Sequence, residues 1–218
     1  INLSYEHKLS DKFSAKCDLG YMLKGKLPYL SIAHNFMGET ETEGYLEIAL
    51  DNLKINAISI HPQIRLYTKG NALNGVYIGP YAKYADYKFE STYTSDVSYE
   101  DGGVSQEKEN VVFDLTGHVR KIGAGIMIGY QWIASEKFCV DLCFFGPGLT
   151  YTFASSIVDA PDFPTSRDIG EFTEDELSNI PEIFGKIDVE QQSPTKAKGK
   201  WDSIIPVYRF NLSIGYAF

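Results

Sequence analysis

His7, His34 and His118 are the side chains of this chain best suited to take up a proton near neutral pH. Ser31 and Thr116 stand close enough in sequence to His34 and His118 to be the hydroxyls they would activate. An imidazole beside a hydroxyl is the minimum for hydrolysis or acyl transfer. Each histidine also has a plain structural reading, His7 and His118 as residues near the ends of alternating segments and His34 as part of a long connection. The established catalytic spacings are absent: the sequence contains no GxSxG, HExxH, complete phosphate-binding GxxxxGK(S/T) or paired CxxC. Ser193-Pro-Thr-Lys196 spells SxxK but sits in a proline-interrupted connection, not at a helix start. Cys139 and Cys143 would be about 13 Å apart on one face of a strand, beyond disulfide reach. With no histidine or second cysteine pair to complete a metal set, they read as packed thiols. The sequence therefore assigns no catalytic, cofactor-binding or metal-ligating residue.

The elements that must carry these groups alternate with period two. In Ile1 to Leu9 the odd positions are apolar or aromatic apart from His7, while Asn2, Ser4, Glu6 and Lys8 take the other face. Ser10-Asp-Lys12 then turns the chain into Phe13 to Tyr21. The same pattern recurs over 53–67, from Gly75 to about Thr92, from Val111 to Trp132, and from Phe138 onward. At Gly146-Pro-Gly148 the phase slips to Leu149, Tyr151 and Phe153, as a bulge would cause. The last segment, about Ser203 to Phe218, alternates Tyr208, Phe210, Leu212, Ile214, Tyr216 and Phe218 with small or polar residues. Seven strands can be read in this way.

Connections alternate in length: 10–12, 69–74 and 134–137 are short, whereas 22–52, 93–110 and 157–202 are long. The last holds eleven acidic against five basic residues, and within it Thr173 with Glu176 forms a capping box and Phe172 with Leu177 a hydrophobic staple. That pattern predicts a short helix from Glu174 to 180, ahead of Pro181. By phase, Glu6, Lys8, Lys16, Asp18, His61, Gln63, Arg65, Lys121, Gln131, Asp141, Arg209 and Asn211 share the non-apolar face, with Gly123, Gly125 and Gly129 making room among them. Charges of both signs on an enclosed face must pair to be tolerated, so the interior should be a salt-bridged plug.

Length and composition fit this picture. The 218 residues suit a single domain over 1–218, and 15 Tyr with 13 Phe favour sheet. No apolar run approaches the roughly 18 residues of a spanning helix. A net charge of -9 argues against nucleic acid as a partner, since phosphate binding needs a clustered basic surface. A mean hydropathy of -0.19 is compatible with a membrane sheet, in which only alternate residues meet lipid.

Tyr5-Glu-His-Lys-Leu9, Gly75-Val-Tyr-Ile-Gly-Pro-Tyr81, Gly123-Ala-Gly-Ile-Met-Ile-Gly-Tyr130 and the terminal Ser213-Ile-Gly-Tyr-Ala-Phe218 resemble the strands of small OmpA/OmpX-like outer-membrane barrels, in particular a Bacteroides-type family. The resemblance implies an all-β, antiparallel up-and-down transmembrane β-barrel of about eight strands in the outer membrane of a Gram-negative bacterium, with acidic extracellular loops. Such barrels have even strand numbers, so an eighth strand is expected before Ile1. The competing assignment makes a strand of Leu27 to Phe36 and breaks the loop alternation. The implied role is non-enzymatic: a structural, accessory or surface-recognition component, in contact with outer-membrane lipid and lipopolysaccharide and with other outer-membrane proteins. Acidic loops gathered on one rim would also hold divalent cations that bridge to lipopolysaccharide. Two alternatives stay open. One is a lipid-modifying barrel enzyme using His7, His34 or His118 on lipid A or phospholipid. The other is a soluble lipocalin-like carrier, which needs an apolar interior and a polar exterior.

Overall fold

Period-two alternation leaves the backbone little choice but sheet, and the chain forms ten strands and one helix in its described parts. A computed structural model of the protein describes residues 1–26, 52–69, 71–134, 137–164, 166–177 and 188–216. The strands are β1 (Asn2–Lys8), β2 (Phe13–Lys26), β3 (Lys54–Tyr67), β4 (Gly75–Asp101) and β5 (Val104–Ala134). They continue with β6 (Phe138–Phe145), β7 (Pro147–Asp159), β8 (Asp188–Ser193), β9 (Lys196–Tyr208) and β10 (Asn211–Tyr216), while helix α1 spans Ile169–Leu177. All pairings are antiparallel, in the order β1-β2-β3-β4-β5-β7-β9-β8, with β6 joining β5 to β10. All seven segments expected from alternation are strands. Two are broken, one at Gly146 between β6 and β7, where the phase slip was expected, and one between β9 and β10. The strand expected before Ile1 and the alternative strand at 27–36 both lie outside the described residues.

The sheet curls into a barrel-like form, because side chains from distant strands meet inside it. Lys16 of β2 reaches Asp141 of β6 at 2.6 Å, and Arg209, between β9 and β10, reaches Asp18 of β2 at 2.8 Å. Its polarity is the inverse of a soluble protein's. Lys16 is 5% exposed, Asp18 3%, Arg65 1% and Asp141 3%, whereas Leu19 is 52% exposed, Ile122 55% and Ile204 65%. Among the described residues β1 pairs only with β2 and β10 only with β6, so these two edges are not joined to each other.

At the end opposite the short turns the structure departs from the expected loops. Residues 93–110 form a continuous hairpin instead, with β4 and β5 meeting at Gly102 (φ 59°) and Gly103 (φ 80°). Two central residues with positive φ make the turn whose twist matches a hairpin, and glycine adopts that conformation without strain. Polar residues on the outer face hid the inner stripe Tyr93, Val97, Val111 and Phe113 from a loop-by-composition reading. That stripe packs with Val158, Phe163, Ile169 and Phe172 into an apolar core outside the barrel-like section. Phe113 stacks on Tyr93 at 5.1 Å and on Phe172 at 5.5 Å.

The helix also begins earlier than expected, at Ile169 instead of Glu174, and its described part ends at Leu177. Asp168 is the reason: its Oδ1 accepts the N–H groups of Gly170 at 2.6 Å and Glu171 at 3.2 Å, the geometry of an N-cap. Thr173, the expected cap, instead donates back to the Ile169 carbonyl at 2.7 Å from within the helix.

Candidate functional site

Alternation delivers the inward residues of β1, β2, β3, β5 and β6 to the short-turn half of the interior, where three carboxylates organise the remaining polar groups. Asp141 accepts from Lys16 Nζ at 2.6 Å, Arg65 Nη2 at 2.8 Å and Tyr77 Oη at 2.8 Å. Glu6 accepts from Ser14 Oγ at 2.5 Å, Tyr67 Oη at 2.9 Å and Arg65 Nη1 at 3.2 Å. Asp18 accepts from Ser4 Oγ at 2.6 Å, Gln63 Nε2 at 2.6 Å and Arg209 Nη2 at 2.8 Å. The one proton of the Tyr67 hydroxyl is shared between Glu6 and Gln131, whose amide donates to Cys139 Sγ at 3.1 Å. Among the described residues every charge in this half is paired, and the Arg65 guanidinium lies 4.0 Å over the Tyr77 ring. The group therefore closes the section of the interior that it occupies.

Glycine permits this density. A Cβ at Gly129 would lie 2.2 Å from Tyr77 Oη and 2.6 Å from the Leu142 carbonyl, and one at Gly79 would lie 1.8 Å from the Ile64 carbonyl. The inward glycines on β5 therefore make room chiefly for tyrosine and for neighbouring backbone, where long basic side chains were expected. Lys8, also expected inside, sits at the rim and pairs with Asp11 at 2.9 Å. Tyr67 and Tyr77 were missed as members, although each has the inward parity of its strand and could have been found by extending the alternation by one step.

The residues with catalytic potential do not converge on one place. His34 and Ser31 lie outside the described residues. His7 is exposed and stacks on Tyr5 at 6.5 Å between ring centroids. His118 Nε2 is 2.8 Å from Asp86 Oδ1 on the outer face, and Tyr84 Oη donates to the other oxygen of Asp86 at 3.3 Å. Ser155 stands directly opposite His118 in the β5–β7 register. Thr116, the hydroxyl nearest His118 in sequence, instead lines a cavity of about 590 Å³ with Lys26, Lys54, Glu90 and Asp114. Ser193 and Lys196 face each other across the β8–β9 turn, and Lys196 is held by Asp159 at 2.8 Å. Cys17, Cys139 and Cys143 are free thiols, and among the described residues no group of three His, Cys, Asp or Glu is placed to hold a metal ion.

No curated protein and no solved structure matches the chain. A protein family described as "Protein of unknown function (DUF3575)" matches residues 1–156, more than half of the length, and the chain belongs to that family.

Proposed function

We propose that the protein is an integral outer-membrane β-barrel of a Gram-negative bacterium, of the small OmpA/OmpX-like kind. Its interior is plugged by ion pairs, and it serves as a structural, accessory or surface-recognition component of the envelope. The observation that carries this reading is the inverted polarity: paired charges inside, and a row of Leu19, Ile60, Tyr84, Ile122, Tyr151 and Ile204 running outside from strand to strand. On β5 the outward apolar stripe runs from Ile122 to Trp132, about 33 Å along the strand at ~3.3 Å per residue. At the usual barrel tilt of ~40° this spans about 25 Å, the height of a lipid-facing band. Aromatic side chains mark both of its margins, with Tyr21, Tyr84 and Phe153 at one level and Trp132, Phe138 and Tyr216 at the other. A lipocalin-like carrier would need the opposite arrangement.

The test is solubility and heat-modified mobility. The purified protein is expected to need detergent and to change its gel migration on boiling; a monodisperse, detergent-free monomer would overturn the reading. Pull-down from gently solubilised membranes then asks whether the rigid end beyond the band, built on Phe113 and α1, carries a stoichiometric envelope partner.

One observation favours a second reading. The Asp86–His118 pair, with Ser155 across from His118, lies just beyond the apolar row, where the ester groups of outer-leaflet lipid would be. This is the arrangement a lipid hydrolase or acyltransferase would use. Mass spectrometry of lipid A and phospholipids from cells carrying the wild type or His118→Ala tests it, and identical profiles would remove it.

A further inference from the structure

We propose that the middle of the interior, between the ion-paired plug and the apolar cap, is a binding chamber for a small oxyanion of the phosphate or sulfate class. Three observations converge on it. The first is charge. The inward cations Lys16, Arg65, Lys83, Lys121 and Arg209 face only the carboxylates Glu6, Asp18 and Asp141, all three of which are engaged in the plug. Among the described residues neither Lys83 nor Lys121 has a carboxylate partner; Lys121 has only the Tyr87 ring, 5.5 Å from its Nζ. Lys83 lies within electrostatic range of both Lys121 and Arg209, and each repels it. Both lysines are half-buried, so solvent screens this excess only in part and a bound counter-charge would be favoured.

The second observation is the set of unused polar atoms. His61 Nε2, Thr152 Oγ1, Trp201 Nε1 and Arg209 Nη1 are buried without a hydrogen-bond partner among the described residues. Thr152 is 1% exposed. The hydroxyl, the indole and the guanidinium can all donate, and His61 can do so through its tautomer. Atoms of this kind are normally satisfied, and two of them lie beside the lysines: Thr152 directly opposite Lys121 in register, and His61 within electrostatic range of Lys83.

The third is register. Lys83 pairs with Gly123, and Lys121 pairs with both Ala85 and Thr152, which in turn pairs with Ser203. Gly20, Ser59, Ala85 and Ser203 at this level are all small, so little side-chain volume stands opposite the long lysines. His61 stands opposite Asp18 in the β2–β3 register, on the plug side, while Trp201 pairs with Ala154, two residues along β7 from Thr152. Lysines as point charges, the one free nitrogen of Arg209 on the plug side and the Thr152 hydroxyl are the donors such an oxyanion would take.

The inference rests on the membrane reading only in that lipid around the wall would deny these cations a solvent counter-ion. The experiment is calorimetric titration of the detergent-solubilised protein with inorganic phosphate and with sulfate at constant ionic strength in a chloride background, alongside thermal unfolding in each buffer. Saturable binding of one anion per chain and a higher melting temperature are expected. Lys83→Gln/Lys121→Gln should weaken binding by at least about tenfold, the scale of hydrogen bonds to charged groups. In chloride the same variant should be no less stable than the wild type, because it loses repulsion. If that variant does not fold, Thr152→Val is read in its place. No heat and no melting shift in the wild type, or equal affinity in the variant, would overturn the chamber. Failure of the membrane reading is seen separately, as a protein that stays soluble without detergent.

Discussion

Asp141→Asn alters the interior where three donors converge while keeping the shape of the side chain. The wild-type carboxylate is 3% exposed and takes Lys16, Arg65 and Tyr77 at 2.6 to 2.8 Å. The amide removes the charge and turns an NH₂ toward two cations. Breaking a buried pair by removing one partner costs about 3–5 kcal/mol, because the other charge is left uncompensated. Arg65 keeps Glu6 at 3.2 Å and Lys16 keeps Asp18 at 3.5 Å, so the lower end, about 3 kcal/mol, is expected. Equilibrium urea unfolding in detergent or vesicles, followed by the fluorescence of Trp132 and Trp201, reads this loss directly. Arg65→Met removes the partner, so the double variant should be less destabilised than the sum of the singles, with a coupling of about 1–3 kcal/mol. A loss under about 1 kcal/mol with additive singles is the behaviour of solvated ion pairs, and it would refute the claim that these charges are sealed inside.

Ile126, 58% exposed at the middle of the outer band, gives the complementary test. Ile126→Arg should cost about 2–4 kcal/mol in lipid, whereas on a water-facing surface it would be nearly neutral. Gly79→Ala forces a Cβ against the Ile64 carbonyl and should destabilise by about 1–3 kcal/mol, while Gly215→Ala, with nothing within 4 Å of the added carbon, serves as the mild control in the same unfolding assay. Phe113→Ala should cost the outer core about 3–5 kcal/mol. It should open the β4–β5 hairpin and α1 to proteolysis while heat-modified mobility of the barrel-like section persists; loss of both together would mean that the two cores are one cooperative unit.

Much of the interior was legible because alternation is a local property. Parity along β2 alone puts Lys16 and Asp18 on the face opposite Leu19, whatever the rest of the chain does, and parity along β3 sets Gln63 and Arg65 apart from Ile64 and Leu66 in the same way; burial then shows the charged face to be the inner one. The break at Gly146 was equally visible, since a phase slip can be counted. The outer hairpin was less so. Its apolar stripe is thin and its other face is charged, so composition suggested a loop where register with Val111 and Phe113 makes strand. At α1 two capping signals competed, and Asp168 prevailed over Thr173 because its carboxylate reaches two N–H groups at once.

The sequence by itself determined which residues share a face of the sheet, one face charged and the other apolar, because a period of two needs no knowledge of the fold; that the charged face is the inner one was decided by the tertiary structure. Only the tertiary structure decided which charges meet. Lys16 and Asp141 are 125 residues apart, and Asp86 and His118 are 32 apart. Register and curl bring them together, and these depend on every strand between them. The same curl brings Lys83 within electrostatic range of Lys121 and Arg209 and leaves the two lysines without a carboxylate partner among the described residues, which no single strand could reveal.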